Sequence, residues 1–321
     1  LPSVARRGSV FSRTSLATTK ACEKRRVFGL EKKPFIPRKR RGFSPTTRSY
    51  PQANRFAIIQ SIRHEEKEKK LSGYTAYHNG IWLPSEEIKP DPTDRGVILG
   101  DQVVEVVRTF DGKSFRMREH IDRLYNSLKY IRIDPGMSRD EMVQASEEAI
   151  SRNEHLRGEG NDFSIRQLVT RGPSRGLRAW KAGPPNIYIT VSPMAFENFA
   201  PFYLEGAHGA ITRTLSYDPE SLDPKVKHLS RMNMTLAELE ANDVDPGAWP
   251  IMRDQRGNLT EGSGYNVFIV TKGILRTPGD HAALAGVSRA MVFDLASQLG
   301  IQAYEEDLQP YDMYTADEAF F

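Results

Sequence analysis

Cysteine is almost absent from this chain of 321 residues, because Cys22 is its single copy. One cysteine excludes an internal disulfide and any CxxC zinc or redox motif. The seven histidines include no HExxH or other pair at ligand spacing, so we predict no metal site. No apolar run approaches 18 residues, which excludes a membrane-spanning helix. The motifs GxGxxG, GxxxxGKS/T and GxSxG are missing too, so the common nucleotide-binding and hydrolase fingerprints are excluded.

Acidic residues are scarce at the beginning of the chain. Residues 1–70 hold 19 Lys and Arg against 5 Asp and Glu, which leaves 26 of the 45 basic and 36 of the 41 acidic residues for the remainder. A basic arm therefore precedes an acidic body. The alkaline pI of about 9.0 belongs to the arm and indicates little about partners of the folded part.

The basic arm, residues 1–74, carries one short apolar patch at 56–59. So little apolar surface cannot offset the entropy of ordering the segment, and we predict a disordered extension. A Ser- and Arg-rich segment poor in acids is also typical of an organellar transit peptide. A third interpretation is an arm that binds nucleic acid through its phosphates. The arm can equally be sequence that does not belong to the natural protein.

Periodic structure begins near residue 77 and mixes strands with helices. Valine-rich and alternating stretches predict strands at 102–110, 163–170, 187–191, 210–215 and 265–270. Helical spacing of apolar residues predicts helices at 118–131, 139–153, 228–242 and 287–299. The order lacks strict βαβ alternation, which favours an α+β fold. We predict a small domain at 75–197, a linker at 198–202 and a larger domain at 203–321.

A constellation in the second half indicates chemistry. Lys227 enters a helix, Glu261 stands in the run Thr-Glu-Gly-Ser-Gly-Tyr-Asn, and Ser288 follows Leu-Ala-Gly-Val at another helix start. A lysine can form a Schiff base with an aldehyde, and a glutamate can keep a ring nitrogen protonated. The free N–H groups of a helix start can hold a phosphate dianion. The set is consistent with a phosphorylated aldehyde cofactor.

These motifs, together with Leu-Ala-Glu-Leu-Glu-Ala at 236–241, resemble the core of the fold-type IV pyridoxal-phosphate aminotransferases. The group includes branched-chain amino-acid, D-amino-acid and (R)-amine transaminases and aminodeoxychorismate lyase. The resemblance extends from about residue 77 to 321 and is densest in the second half. It implies an α+β protein with a small domain, a larger pseudo-barrel domain and pyridoxal 5'-phosphate between them.

The resemblance also implies roles for individual residues. Lys227 is similar to the lysine that forms the internal aldimine, and Glu261 to the acid that contacts the pyridine nitrogen. Val287 and Ser288 resemble the pair whose backbone N–H groups hold the phosphate. Arg123 lies in Arg-Glu-His-Ile-Asp-Arg-Leu, which resembles the HxxRL helix whose arginine binds the phosphate.

Four further arginines depart from the family pattern or face its substrate side. Arg231 stands where branched-chain enzymes commonly place a tyrosine against the cofactor's phenolic oxygen. The contact there is therefore either different or supplied by a cation, which makes Arg231 a candidate cofactor-binding residue. Arg108, on the strand that lines the substrate side, and Arg166 are candidate substrate-binding residues. Arg175 lies in a Gly- and Arg-rich loop and is a candidate clamp for a substrate carboxylate, because a guanidinium grips a carboxylate through two parallel hydrogen bonds.

The resemblance implies a PLP-dependent transaminase that acts between a branched-chain L-amino acid and a 2-oxo acid. D-amino-acid or (R)-amine transamination and an aminodeoxychorismate lyase reaction are the alternatives within the group. We expect a homodimer in the cytoplasm, or in an organelle if the arm is a transit peptide. The chain stops where the family continues, so we expect the larger domain to lack its last strands. A nucleic-acid-binding protein that uses the basic arm is the alternative outside enzymes.

Overall fold

The computed structural model describes residues 73–158, 161–174, 176 and 178–321. The expectations for the basic arm and for Arg175 lie outside these residues. The described part is α+β, as predicted from the mixed order of strands and helices. The predicted domain boundaries remain a prediction. None of the helices in the described part has the length and apolar content that crossing a membrane would require.

The first half is built on a six-stranded sheet in which every neighbouring pair is antiparallel. Its spatial order is β2-β1-β6-β5-β3-β4. The strands are β1 (Thr75–His78), β2 (Ile81–Pro84), β3 (Gln102–Phe110), β4 (Lys113–Ser114), β5 (Phe163–Thr170) and β6 (Asn186–Pro193). Three helices accompany the sheet, namely α1 (Arg95–Leu99), α2 (Met117–Ile131) and α3 (Arg139–Asn153).

One face of this sheet forms a core with α2 and α3. Side chains alternate between the two faces of a strand, and in β5 Phe163 and Ile165 are buried while Arg166 is exposed. The apolar positions of α2, three and four residues apart, are buried in the same core. The run Ser-Arg-Asp-Glu at 138–141 predicts a capping box at the start of α3. The structure confirms it, because Ser138 and Glu141 bond to each other's backbone N–H.

The second half contains two smaller sheets. Strands β7 (Gly209–Leu215) and β8 (Trp249–Arg253) form a parallel pair. The four-stranded sheet, in the order β11-β10-β9-β12, consists of β9 (Phe268–Thr271), β10 (Ile274–Thr277), β11 (Ala303–Glu305) and β12 (Glu318–Phe320). Four helices complete this half, namely α4 (Phe202–Glu205), α5 (Met232–Val244), α6 (Val287–Gln298) and α7 (Pro310–Tyr314).

Helix α5 begins four residues later than its apolar periodicity predicts. Residues 227–229 are extended, because they pair with the free edge of β3: the Val104 N–H donates to the Lys227 carbonyl at 3.0 Å. Met232, Leu236 and Leu239 are the apolar residues whose helical spacing predicts α5, and all three are exposed. The small side chains of Ala237 and Ala241 are buried instead.

Strand β9 also begins later than predicted, at Phe268 rather than Tyr265. The preceding residues form a tight turn in which the Gly262 N–H donates to the Tyr265 carbonyl at 3.0 Å. An isolated bridge joins Glu261 to Asn266 across the same turn. The turn therefore holds Glu261 and Asn266 side by side before the chain enters the sheet.

Candidate active site

A cavity of about 460 Å³ lies where the lysine segment, the turn at 261–266 and the beginning of α6 meet. This volume is within the range of about 300–1,000 Å³ that is usual for small-molecule and cofactor sites. Every residue for which the sequence predicts a catalytic or cofactor role lines it, namely Arg123, Lys227, Arg231, Glu261, Val287 and Ser288.

The Lys227 side chain reaches this cavity from the extended segment beside β3. Burial lowers the pKa of its amine to about 8, because the charged form loses hydration. Glu105 and Glu261 raise this pKa, whereas the cations Arg123 and Arg231 lower it further. At pH 7 a pKa of about 8 leaves roughly a tenth of the amine neutral, far more than an ordinary lysine with a pKa of about 10.4 would provide.

The Glu261 carboxylate is a buried acid with one oxygen bound to the protein. Its Oε2 accepts hydrogen bonds from the Leu284 backbone N–H at 3.0 Å and from Asn266 Nδ2 at 3.4 Å. Among the described residues no donor bonds to Oε1. Burial raises the pKa of Glu261 to about 7, and the Leu284 N–H and the charges of Lys227, Arg231 and Arg123 oppose this rise. The site therefore suits a cationic hydrogen-bond donor.

Helix α6 begins with an uncapped turn at the cavity. Its N-cap is Gly286, which has no side chain to occupy the first N–H groups. The Ala290 N–H donates to the Gly286 carbonyl at 2.9 Å, so the N–H groups of Val287, Ser288 and Arg289 have no acceptor within the helix. Free N–H groups and the positive end of the helix dipole favour an anion at this point.

Arg123 brings a guanidinium to the same helix start from α2 in the other half of the molecule. Its Nη1 donates to the carbonyl of Ala285 at 2.9 Å, directly before the N-cap. Its Nε and Nη2 both bond to the Glu105 carboxylate at 2.7 Å. The arginine and the helix start therefore provide one positive site for an anionic group.

These residues fit a phosphorylated aldehyde such as pyridoxal 5'-phosphate. The cavity offers a lysine amine whose pKa is lowered, a buried carboxylate with a free oxygen, and an anion site. The glycine at the N-cap is part of this fit, because a Cβ on Gly286 would lie 2.1 Å from Asn266 Oδ1. The missing Cβ allows the Asn266 side chain to lie directly against the Gly286 backbone at the helix start.

We expect Gly286→Ala to reduce the free energy of unfolding by about 1–3 kcal/mol, the usual cost of overpacking. The backbone at Gly286, with φ −67° and ψ 137°, suits alanine, so the cost comes from the contact with Asn266. Asn266 is held by its donation to the Leu284 carbonyl at 2.9 Å and cannot move freely. Urea unfolding checks this. Gly264→Ala is the control, since a Cβ there meets open space; equal costs for both variants would contradict the prediction.

The remaining predicted arginines differ in their positions. Arg231 lines the cavity, and its Nη2 donates to the Ser263 carbonyl at 2.5 Å. Arg108 stacks over the ring of Phe110 at 3.8 Å and lies outside the lining, as does the exposed Arg166 on β5. Their substrate role therefore remains a prediction, as does that of Arg175, which is outside the described residues.

The cavity also includes residues that the sequence analysis did not single out. Asn266 stands beside Glu261 and is the last residue of the run Thr-Glu-Gly-Ser-Gly-Tyr-Asn. Its place in that run therefore indicates a position near the site. Tyr217 and Asn233 line the cavity as well, and the Tyr217 hydroxyl donates to the Ser230 carbonyl. Neither residue lies in a sequence pattern that indicates a site. Only the folding of the chain brings them to the cavity.

The profile of the family described as Amino-transferase class IV matches residues 102–321. A Methanocaldococcus jannaschii protein provisionally named branched-chain-amino-acid aminotransferase is 38% identical over 76% of this chain and 82% of its own. The D-alanine aminotransferase of Listeria monocytogenes is 30% identical over 75% of this chain and 81% of its own. The crystal structure of a branched-chain aminotransferase from Thermoproteus uzoniensis with norvaline has a TM-score of 0.68 at 27% identity, covering 77% of this chain and 82% of that chain.

The matching profile covers more than half of the chain, and it includes every residue of the candidate site. The fold agrees with that of the solved branched-chain aminotransferase, as the resemblance implied. The chain therefore belongs to the class IV aminotransferases, a family of enzymes that use pyridoxal 5'-phosphate.

Proposed function

We propose that this protein transfers the amino group of branched-chain L-amino acids to a 2-oxo acid, with Lys227 as the catalytic residue. The observation that supports the proposal is the convergence of Lys227, Glu261 and the beginning of α6 on one cavity. D-alanine transamination is the second candidate, because a D-alanine aminotransferase is also 30% identical to the chain.

Each residue of the cavity has a task in this proposal. Arg123 and the N–H groups of Val287 and Ser288 would hold the phosphate, and Glu261 would accept a hydrogen bond from the protonated ring nitrogen. When bound, the cofactor supplies an electron sink that stabilises negative charge at the substrate α-carbon. Lys227 would remove the proton from that carbon and return it to the cofactor side as a general base and then acid.

The protonation state of Lys227 suits this task. A general base must be neutral when it accepts the proton, and burial lowers the lysine pKa to about 8. After accepting the proton, the ammonium group is a competent acid at the same pH. A side chain with a pKa close to the working pH serves in both directions, as a transamination cycle requires.

The lining favours an aliphatic substrate with one carboxylate. Val106 is the exposed residue of an otherwise largely buried stretch of β3, with 38% of its surface accessible, and it lines the cavity. Phe320 and Phe321 add further apolar surface to the lining. Among the arginines of the lining, Arg123 and Arg289 pair with carboxylates, whereas Arg231 has no carboxylate partner in the described residues. Its guanidinium instead donates to the Ser263 carbonyl and to Met234 Sδ, so we propose that it also faces the substrate carboxylate.

A panel of amino donors tests the substrate. With the PLP-loaded protein and 2-oxoglutarate, we expect L-valine, L-leucine and L-isoleucine to exceed D-alanine in kcat/KM by about ten-fold or more, the discrimination that apolar contacts provide. Glutamate formation is the measurement. D-leucine is the control that separates side-chain preference from stereochemistry. Faster turnover of D-alanine would favour the second candidate, and pyruvate release from aminodeoxychorismate would favour a lyase.

We also propose a homodimer, as the family resemblance implies. Light scattering of the loaded protein tests this assembly.

A further inference from the structure

Glu105 is a fully buried carboxylate in the middle of β3. Both of its oxygens are bound: Oε1 accepts from Arg123 Nε at 2.7 Å, and Oε2 accepts from Arg123 Nη2 at 2.7 Å and from His120 Nδ1 at 2.8 Å. Burial raises the pKa of Glu105, but the hydrogen bonds from His120 and Arg123 outweigh this and hold it below its ordinary value. Glu105 is therefore a charged group at neutral pH.

This bidentate pair determines how the Arg123 guanidinium is oriented. A guanidinium has five N–H donors in a rigid plane. Glu105 takes one from Nε and one from Nη2, and the Ala285 carbonyl takes one from Nη1 at 2.9 Å. One N–H then remains on each terminal nitrogen, while the side chain is 13% exposed and lines the cavity. These two N–H groups have no acceptor among the described residues.

The same contacts connect the two halves of the candidate site. Glu105 belongs to β3 and Arg123 to α2, whereas Ala285 directly precedes the N-cap of α6. The guanidinium therefore lies between a buried carboxylate on one side and the uncapped helix start on the other. Without the carboxylate, a long arginine side chain would have several rotamers available at little cost in energy.

We propose that Glu105 is a positioning residue, which holds the Arg123 guanidinium so that its two remaining N–H groups bind the cofactor phosphate. The inference rests on the proposed function, because it takes Arg123 as a phosphate ligand. It adds that the affinity for the phosphate depends on a carboxylate that does not itself touch the cofactor.

The test compares pyridoxal 5'-phosphate with pyridoxal, which lacks the phosphate. Affinities of the apoprotein for both are measured by titration for the wild type and for Glu105→Gln. We expect the substitution to weaken pyridoxal 5'-phosphate binding by about ten- to a hundred-fold, the value of a charge-assisted contact. Pyridoxal binding should change by less than about three-fold. An equal loss for both compounds, or no loss, would overturn the inference.

A double-mutant cycle with Arg123→Lys tests whether Glu105 acts through Arg123. In the Arg123→Lys background, we expect Glu105→Gln to change the ratio of the two affinities by less than about two-fold, because the group that Glu105 orients is gone. Glu119→Gln, an exposed glutamate on the same helix as Arg123, is the matched control and should leave both affinities unchanged. A full effect of Glu105→Gln in the Arg123→Lys background would contradict the inference.

The pH dependence gives an independent measurement. Glu105 raises the pKa of Lys227, against burial, Arg123 and Arg231, and Glu261 acts in the same direction as Glu105. Removal of the Glu105 charge should therefore lower the pH at which the binding of pyridoxal 5'-phosphate by the Lys227 amine is half-maximal. A merely structural carboxylate far from the lysine would leave that midpoint in place, and an unchanged midpoint would count against the placement of Glu105.

Three further outcomes keep the inference separate from the proposed function. If Glu105→Gln does not fold, Glu105→Asp retains the charge but withdraws it by one methylene, and it should reduce the preference for the phosphorylated compound. If the wild type itself binds both compounds equally, the role of Arg123 fails and the inference fails with it. If the wild type prefers the phosphorylated compound and both Glu105 variants keep that preference, the inference alone is overturned.

Discussion

Lys227→Ala is expected to lower transamination by at least about ten-thousand-fold, because in the proposed function this one side chain is both the covalent anchor and the general base. The fold should remain, since the contact of this segment with β3 is made by the backbone: the Val104 N–H donates to the carbonyl of residue 227. Removing a buried amine also removes the cost of burying a charge. Stability should therefore stay the same or rise.

Borohydride reduction of the protein loaded with pyridoxal 5'-phosphate, followed by peptide mapping, is the direct measurement. The wild type should carry the cofactor mass on Lys227, and the alanine variant should carry none. Lys225→Ala is the matched control, because Lys225 is exposed, lies two residues away and pairs with Asp223 at 3.4 Å. Labelling at another lysine in the wild type would contradict the assignment.

The sequence predicts a role for Lys227, but it predicts only part of the structure around this residue. Strand β3 and helix α3 agree with the predicted bounds, because alternation and a capping box are local signals. The start of α5 does not agree, because residues 227–229 bond to β3, a partner more than a hundred residues away. A long-range pairing of this kind replaces the local helical preference and has no trace in the local sequence.

The ion pair between Glu105 and Arg123 shows a second limit. The family motif indicates a role for Arg123, and alternation places Glu105 on a strand. Neither pattern indicates that the two side chains meet, because that contact depends on how α2 packs on β3. By contrast, Glu261 and Asn266 are five residues apart across a tight turn, so their contact follows from the local sequence.

Glu261→Gln is expected to reduce kcat by about a hundred-fold or more, the size of effect that follows when one preorganised electrostatic partner is removed. The carboxylate lines the same cavity as Lys227. Its Oε1 accepts no hydrogen bond from the described residues, so this oxygen is available to a cationic donor. A glutamine amide has nearly the same shape, and its oxygen can still accept from the Leu284 N–H. Its other end donates a hydrogen bond and carries no charge, so it does not favour a protonated ring nitrogen.

Cofactor affinity separates this effect from a loss of binding. In the proposed function the phosphate contacts come from Arg123 and the beginning of α6, which Glu261→Gln leaves in place, so we expect the affinity to change by no more than a few-fold. The charge also matters for stability: burial raises the pKa of Glu261 to about 7, so the folded protein already resists its ionisation. Replacement by a neutral amide should therefore not destabilise the apoprotein. Glu86→Gln, an exposed glutamate on the first half, is the control. If kcat for Glu261→Gln stayed within three-fold of the wild type while the cofactor remained bound, the ring-nitrogen role would have to pass to another residue.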